Sequence, residues 1–292
     1  MKVAIYSRGL EDDQQTQLLV LLQELARQKI TVYLFSLLAE SYPQLFQYDF
    51  DLHVFAGAYD LDESVDCLIS LGGDGTILDA TTLVRNKNIP ILGINFGRLG
   101  FLASIGKEEL TSAVDSLVNS TFVIDKRTLV HLDANVPLFG ETPFALNEFA
   151  IHKRDISPMI KVHTYLNGEF LNTYWADGLI VSTPTGSTGY SMSCNGPILF
   201  PESSSFLITP VAPHNLNARP IIVGDNNVIS FEVEGRFDQF ICALDARREI
   251  VDKTIQLAIK KENFTISLIR LNENSFLSTL RNKLTWGLDK RN

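Results

Sequence analysis

An apolar run rich in β-branched and aliphatic residues, Val65–Leu71, breaks at Gly72-Gly73-Asp74-Gly75 and reopens with helical spacing at Thr76-Ile77-Leu78. The run reads as a buried parallel strand, and the glycines after it read as the turn into a helix. Turns at the carboxyl ends of parallel strands are where open α/β sheets bind ligands. Glycines admit phosphate oxygens to the backbone N–H groups, and the helix start adds positive potential. Gly72, Gly73, Gly75 and Thr76 are therefore candidate phosphate contacts. Asp74 does not fit a plain phosphate cradle, because its carboxylate repels phosphate. It fits a turn in which it holds a cation or takes a proton from a hydroxyl attacking phosphorus, and this points to phosphoryl transfer. The competing reading is an ordinary Asp-Gly turn or a helix cap at Asp74.

A chain of 292 residues favours about two domains. With 45% hydrophobic and 20% charged residues it has the composition of a soluble globular protein. The net charge of −9 and the lack of a dense Lys/Arg run argue against a nucleic-acid partner. Cys67, Cys194 and Cys242 are odd in number and far apart, which suits neither a disulfide framework nor a zinc site. They read as small buried hydrophobes. Met1–Ser7 enters a strand pattern directly, and no apolar run reaches the ~20 residues of a membrane span, so a cytoplasmic location without membrane association is expected.

Strand and helix patterns alternate through the first hundred residues: Lys2–Ser7, a helix over Asp12–Gln28 with Leu18, Leu21, Leu22 and Leu25 on one face, Ile30–Ser36, Leu52–Ala56, Val65–Leu71, a helix from Thr76, Ile89–Phe96, and a helix over Lys107–Asn119. Such alternation predicts a parallel sheet covered by helices. From Phe122 onward short strands dominate. Asn167-Gly168 between Ile160–Leu166 and Glu169–Trp175 is a strong hairpin signal. Val228–Glu234 with Phe237–Leu244, and Ile255–Lys260 with Phe264–Arg270, look like two further strand pairs. This half is expected to be an all-β, sandwich-like domain. Helical spacing returns at Ser275–Leu284, expected to pack on the first domain. The predicted organisation is an α/β domain over 1–120, joined by the tail 272–292, and a β-rich domain over 121–271.

A second candidate site lies in the β-rich half. The buried run Leu179–Val181, preceded by Asp177-Gly178, leads into Ser182-Thr183-Pro184-Thr185-Gly186-Ser187-Thr188-Gly189-Tyr190. Small hydroxylated residues offer many hydrogen-bond donors with little bulk and no charge, which suits ribose, amide or phosphate groups. A plain surface loop is the alternative. His214, beside Pro213, reads as a hydrogen-bonded core histidine, and Arg219 as an ion-pair partner.

Together these motifs resemble the NAD kinase family. The resemblance rests on Gly72–Thr76, on Asn95-Phe96-Gly97-Arg98-Leu99-Gly100-Phe101-Leu102, on Asn147-Glu148, on Asp177-Gly178 with Thr183–Tyr190, on His214–Pro220, and on the tail Phe276–Trp286. The motifs follow the family's order from about residue 65 to the end. The resemblance implies that Asp74 accepts the proton of the adenosine ribose 2′-hydroxyl of NAD, with Gly75 on the same ribose and Phe101 stacking on adenine. It implies that Asn147 and Glu148 bind the adenosine half and that Asp177 contacts the nicotinamide end. Thr188, Gly189, Tyr190, Ser191, Met192 and Ser193 would wrap the dinucleotide, with Ala212 and Arg247 as further contacts. Gly189 stands where Ala is common in the family, and Asn195 where Gly is common.

The activity implied is transfer of the ATP γ-phosphoryl group, with Mg²⁺ or another divalent cation, to the 2′-hydroxyl of NAD⁺, giving NADP⁺. The same resemblance suggests a homodimer or homotetramer and leaves open whether polyphosphate replaces ATP as donor and whether NADH is accepted. No metal-ligand set is assigned within the chain. The alternatives are a lipid or sphingoid kinase sharing the glycine-aspartate turn and a non-catalytic NAD(P)-binding sensor. A Rossmann dehydrogenase is disfavoured, because Ser7-Arg8-Gly9-Leu10 follows the first strand instead of Gly-x-Gly-x-x-Gly.

Overall fold

The computed structural model describes residues 1–11, 14–154, 158–271 and 275–285. It divides into two compact units, one of residues 1–126 and 266–292, the other of residues 127–265.

In the first unit, a seven-stranded sheet has the order β3-β2-β1-β4-β5-β19-β6. Its strands are β1 (Lys2–Tyr6), β2 (Thr31–Phe35), β3 (Leu52–Phe55), β4 (Cys67–Leu71), β5 (Ile91–Ile94), β6 (Phe122–Arg127) and β19 (Ile266–Leu271). The pairs from β3 through β5 to β19 are parallel. The helices are α1 (Gln15–Arg27), α2 (Ser36–Ser41), α3 (Asp74–Val84), α4 (Leu110–Val118) and α6 (Phe276–Leu284). α1 buries Leu18, Leu21, Leu22 and Leu25, the face expected from the spacing. They join Val3, Ile5, Ile69, Leu92 and Ile94 of the central strands in one core. Each such side chain removed from water contributes about 1.5–3 kcal/mol, so the sheet centre under α1 and α4 dominates this unit's stability. Residues 12 and 13 of the expected Asp12–Gln28 helix lie outside the described residues.

The second unit is built from two six-stranded sheets. One has the order β11-β10-β15-β18-β7-β8 and the other β14-β13-β12-β9-β16-β17. In chain order the strands are β7 (Val130–Ala134), β8 (Phe144–Ala145), β9 (Glu148–Lys153), β10 (Ile160–Leu166), β11 (Glu169–Ala176), β12 (Gly178–Ser182), β13 (Ser205–Val211), β14 (Ile221–Gly224), β15 (Ile229–Glu234), β16 (Gln239–Leu244), β17 (Arg247–Asp252) and β18 (Leu257–Lys261), with one short helix, α5 (Tyr190–Ser193). All the strand pairs that define these two sheets are antiparallel. The inner faces share one core, where Phe149 of β9 meets Phe231 of β15 at 5.9 Å between ring centroids. Asn167 (φ 52°) and Gly168 (φ 84°) close the β10–β11 hairpin with Leu166 opposite Glu169, as their sequence predicts.

Two expected strand pairs are corrected. β15 pairs with β10 and β18, whereas β16 pairs with β9 and β17 in the other sheet, so Gly235-Arg236 carries the chain from one sheet to the other. β18 stays in the sandwich, but β19 leaves it to lie parallel to β5 in the first unit. Turn residues signal a reversal of the chain but cannot say which sheet receives it. The unit boundary consequently falls at 126/127 and 265/266, six residues from the expected ends.

Candidate active site

β4 is buried at every position and ends in the glycine turn. Gly72 adopts φ 148°, and a Cβ there would sit 2.3 Å from Thr76 Oγ1, so only glycine fits. Gly73 precedes the helix in extended backbone, without a side-chain cap, and Asp74 is the first residue of α3. The capping reading of Asp74 is therefore corrected. Its Oδ2 accepts the Phe101 N–H at 2.8 Å, and its Oδ1 accepts the N–H groups of Leu102 and Ala103 at 3.0 Å each. A carboxylate has about four acceptor positions, so one position, on Oδ2, stays open.

The motif Asn95–Leu102 exists in this shape to receive that carboxylate. Asn95 Nδ2 donates to the Arg98 carbonyl at 2.6 Å, and Asn95 Oδ1 accepts the Gly97 N–H at 3.0 Å. A Cβ at Gly100 would lie 1.8 Å from Asp74 Oδ1. From α6, Lys283 Nζ donates to the Leu99 carbonyl at 2.6 Å and stands 6.0 Å from the Phe101 ring centroid. The tail helix thus packs within the first unit, as expected. Trp286 lies outside the described residues.

In the second unit, a cavity of about 430 Å³ opens along β9 and β16. Its walls include Glu148, Asp177 and Tyr190, three of the predicted residues, and also His152, Lys153, Asp245 and Arg248, which sequence reasoning missed. The period-two rule carries the missing signal: Glu148, Ala150 and His152 share one face of β9, and Ile241 and Ala243 share one face of β16 and point on to Asp245. Lys153 and Asp177 form an ion pair at 2.7 Å. β9 passes so close to Gly178 that a Cβ there would meet the Ile151 carbonyl at 2.4 Å.

Asn147 and Glu148 are locked from both sides. Thr183 donates its N–H to the Asn147 carbonyl at 2.9 Å and its hydroxyl to the Leu146 carbonyl at 2.6 Å. Asp245 accepts the N–H groups of Leu146, Asn147 and Glu148 at 3.0, 2.8 and 3.1 Å. Asn147 Oδ1 and Glu148 Oε2 are buried without a hydrogen-bond partner. Burial, and then the neighbouring Asp245 charge, push the Glu148 carboxyl up to about 8. Burial also raises Asp245, against the pull of the three amides and Arg247. His152 is held below the usual histidine range by burial and by Arg248, which keeps it neutral at pH 7.

The Thr183–Tyr190 loop is shaped differently from the donor-rich surface expected. Thr183, Ser187 and Thr188 spend their hydroxyls on carbonyls at positions 146, 184 and 185, and buried Ser191 pairs with Thr209 at 2.7 Å. Their polarity shapes the loop, and Tyr190 is the loop residue that faces the cavity, its ring 5.5 Å from that of His152. Gly189 and Met192 are half-buried and Ser193 is exposed. Ala212 is exposed at φ 44°, an uncommon backbone for alanine, next to cavity residue Val211. Arg247 turns to Thr142 and Phe144, and its neighbour Arg248 lines the cavity instead. His214 is not a core histidine: it is exposed and stacked on Trp175 at 4.3 Å. Arg219 donates to carbonyls of its own loop, including Ala218 at 2.9 Å. Among the described residues no three His, Cys, Asp or Glu side chains converge to hold a metal ion.

Two family matches span most of the chain: the ATP-NAD kinase N-terminal domain over residues 20–122 and the ATP-NAD kinase C-terminal domain over residues 146–270. The chain belongs to the ATP-NAD kinase family. It is 56% identical over 227 residues, 78% of each chain, to the NAD kinase of Cytophaga hutchinsonii. The NAD kinase of Christiangramia forsetii is 41% identical over 300 residues, the whole of both chains. The fold is shared with yeast NADH kinase complexed with NADH (TM-score 0.87, 21% identity, 100% of this chain and 89% of that one). It is also shared with an Archaeoglobus fulgidus NAD kinase in complex with ATP (TM-score 0.74, 24% identity, 98% and 99%).

Proposed function

We propose that the chain phosphorylates NAD with ATP, with Asp74 as the proton acceptor and the β9–β16 cavity as part of the dinucleotide site. Family membership makes it an NAD kinase, a phosphotransferase with an alcohol as acceptor. The NADH and ATP of the two structurally similar proteins support the same substrates here.

The observation that carries the catalytic assignment is the state of Asp74. Three amides aim its carboxylate and leave one acceptor position on Oδ2, which suits a single hydroxyl donor. The ribose 2′-oxygen would form its bond to the γ-phosphorus as the bond to the departing ADP oxygen breaks, and Asp74 would take the hydroxyl proton. Because the transition state of phosphoryl transfer is loose, positioning and charge neutralisation supply most of the acceleration. Gly73 and Gly75 would present backbone N–H groups to donor phosphates at the positive end of α3, whereas the expected contacts from Gly72 and Thr76 are corrected, because their N–H groups donate to the Ile94 and Gly73 carbonyls at 2.9 Å each. Asn147 and Glu148 would bind the adenosine half, Tyr190 would supply an aromatic face, and Asp177 would meet the nicotinamide end.

The chain brings no metal cluster of its own among the described residues, and the Asp74 oxygens are engaged by amides. A divalent cation belongs to the donor substrate as Mg·ATP. No helix among the described residues is long and apolar enough to cross a membrane, and a cytoplasmic homodimer or homotetramer fits the reading.

Asp74→Asn tests it. NADP formation from NAD and Mg·ATP is expected to fall by about 10²–10⁴-fold, the usual contribution of a general base, with measurable NAD affinity kept and a lower melting temperature, because one end of the Asn amide is an NH2 group facing an N–H donor. Wild-type turnover by this variant would reduce Asp74 to a loop anchor.

A further inference from the structure

Glu148 and Asp245 both line the β9–β16 cavity, and their carboxyl groups are treated very differently. Asp245 faces three N–H donors at 2.8–3.1 Å, and its own N–H donates to the Glu148 carbonyl at 3.0 Å. Glu148 Oε2 is buried without a hydrogen-bond partner, and the Tyr190 amide is the one backbone donor that acts on this carboxyl. Two carboxylates beside each other in a low-dielectric wall cannot both ionise without a large cost, which favours a state with one proton on the pair. Donors decide where it rests: three amides stabilise the Asp245 anion, and the Tyr190 amide alone acts on Glu148.

We propose that the two residues act as a one-proton pair, in which Asp245 carries the charge and Glu148 stays a neutral carboxylic acid that donates a hydrogen bond from its cavity-facing oxygen to a lone pair on the bound dinucleotide. The inference rests on reading this cavity as the dinucleotide site. Asp245 is then a positioning residue with two tasks. It fixes the backbone of residues 146–148, and its charge keeps the proton on Glu148. The other groups facing Glu148 are consistent with this. From α5, the Tyr190 amide pulls weakly toward the anion, and the Tyr190 and Cys194 side chains are themselves raised by burial. Ahead of β12, Asp177 adds a further negative charge, answered by Lys153 of β9 at 2.7 Å. His152 of β9 is lowered and titrates on the acid side, and Arg248 of β17 adds the remaining cation of the wall.

The test is NAD affinity of the whole protein without ATP, measured by calorimetry from pH 6.5 to 9. Wild-type Kd is expected to be flat at low pH and to rise toward tenfold per unit once Glu148 ionises near 8. Glu148→Gln keeps an N–H donor that can face the cavity, so it should bind within about threefold of the neutral-pH wild type and lose the alkaline rise. Asp245→Asn removes the neighbouring charge, so the rise should move to lower pH, which a purely structural role would not produce. Should Asp245→Asn fail to fold, Glu148→Gln decides alone. Affinity that strengthens with pH, or a tenfold loss in Glu148→Gln at pH 7, would overturn the pair and make Glu148 an anionic ligand. If wild type bound NAD yet made no NADP from Mg·ATP, the kinase reading would fail instead. A second readout is stability without NAD. The Glu148 carboxyl is raised from 4.5 unfolded to about 8 folded, so the folded state holds the extra proton and stability falls as pH rises across that window. Glu148→Gln should therefore melt above wild type at pH 9, and an unchanged difference between pH 6 and 9 would count against the proton.

Discussion

Gly100 shows how one missing methyl group can set the position of a candidate catalytic carboxylate. Its absent Cβ leaves the space that Asp74 Oδ1 fills, and a methyl there would stand 1.8 Å away. Gly100→Ala must displace the carboxylate from its three amides, and a displacement of about 1 Å is enough to cost on the order of a hundredfold in rate. Its kcat should fall by at least that factor while NAD affinity holds; wild-type kcat in a folded Gly100→Ala protein would show that the position of Asp74 does not matter. Asp74 stood out in the sequence as a candidate, because a carboxylate among turn glycines suited to phosphate is chemically odd. Asp245 was not. Its worth lies in three amides about a hundred positions away, and no local pattern encodes such a separation.

Among the elements, the loop between β12 and α5 is held by close backbone contact. A Cβ at Gly186 would meet the Asn147 carbonyl at 2.1 Å, and backbone on a locked strand start cannot yield. Gly186→Ala should cost about 1–3 kcal/mol and weaken NAD binding, because the same clash pushes Asn147 and Glu148. At Gly189 the nearest atom would be 3.3 Å away, so Gly189→Ala should stay within roughly 1 kcal/mol of wild type. Equal melting temperatures for the two variants would refute the contrast. The composition of this loop announced a polar function, and the structure reassigns most of its hydroxyls to its own carbonyls. The strand period, applied to β9 from Glu148 onward, would have found His152 without coordinates.

For the whole molecule, the consequential fact is where β19 goes. It sits between β5 and β6 in the first unit's sheet although it follows the entire β-sandwich in sequence. α6 belongs to the same unit, with Leu280 buried and Lys283 on the Leu99 carbonyl. A chain truncated after Thr265 loses an interior strand and exposes the edges of β5 and β6, which invites aggregation. We expect it to be insoluble or to lack a cooperative melt, and a soluble, cooperatively melting product would contradict this account.

The amino-acid sequence determined the alternation of strands and helices, the buried face of α1, the β10–β11 hairpin and the glycine turn that carries Asp74. All of these rest on interactions among residues near each other along the chain, through side-chain period and turn chemistry. Only the tertiary structure decided that β15 and β16 part into different sheets, that β19 returns to the first unit, and that Asp245 sits under Glu148. Strand partners are chosen by which apolar faces close a common core, and that choice depends on residues a hundred positions apart. Local pattern fixes what each segment is, and packing fixes what it meets.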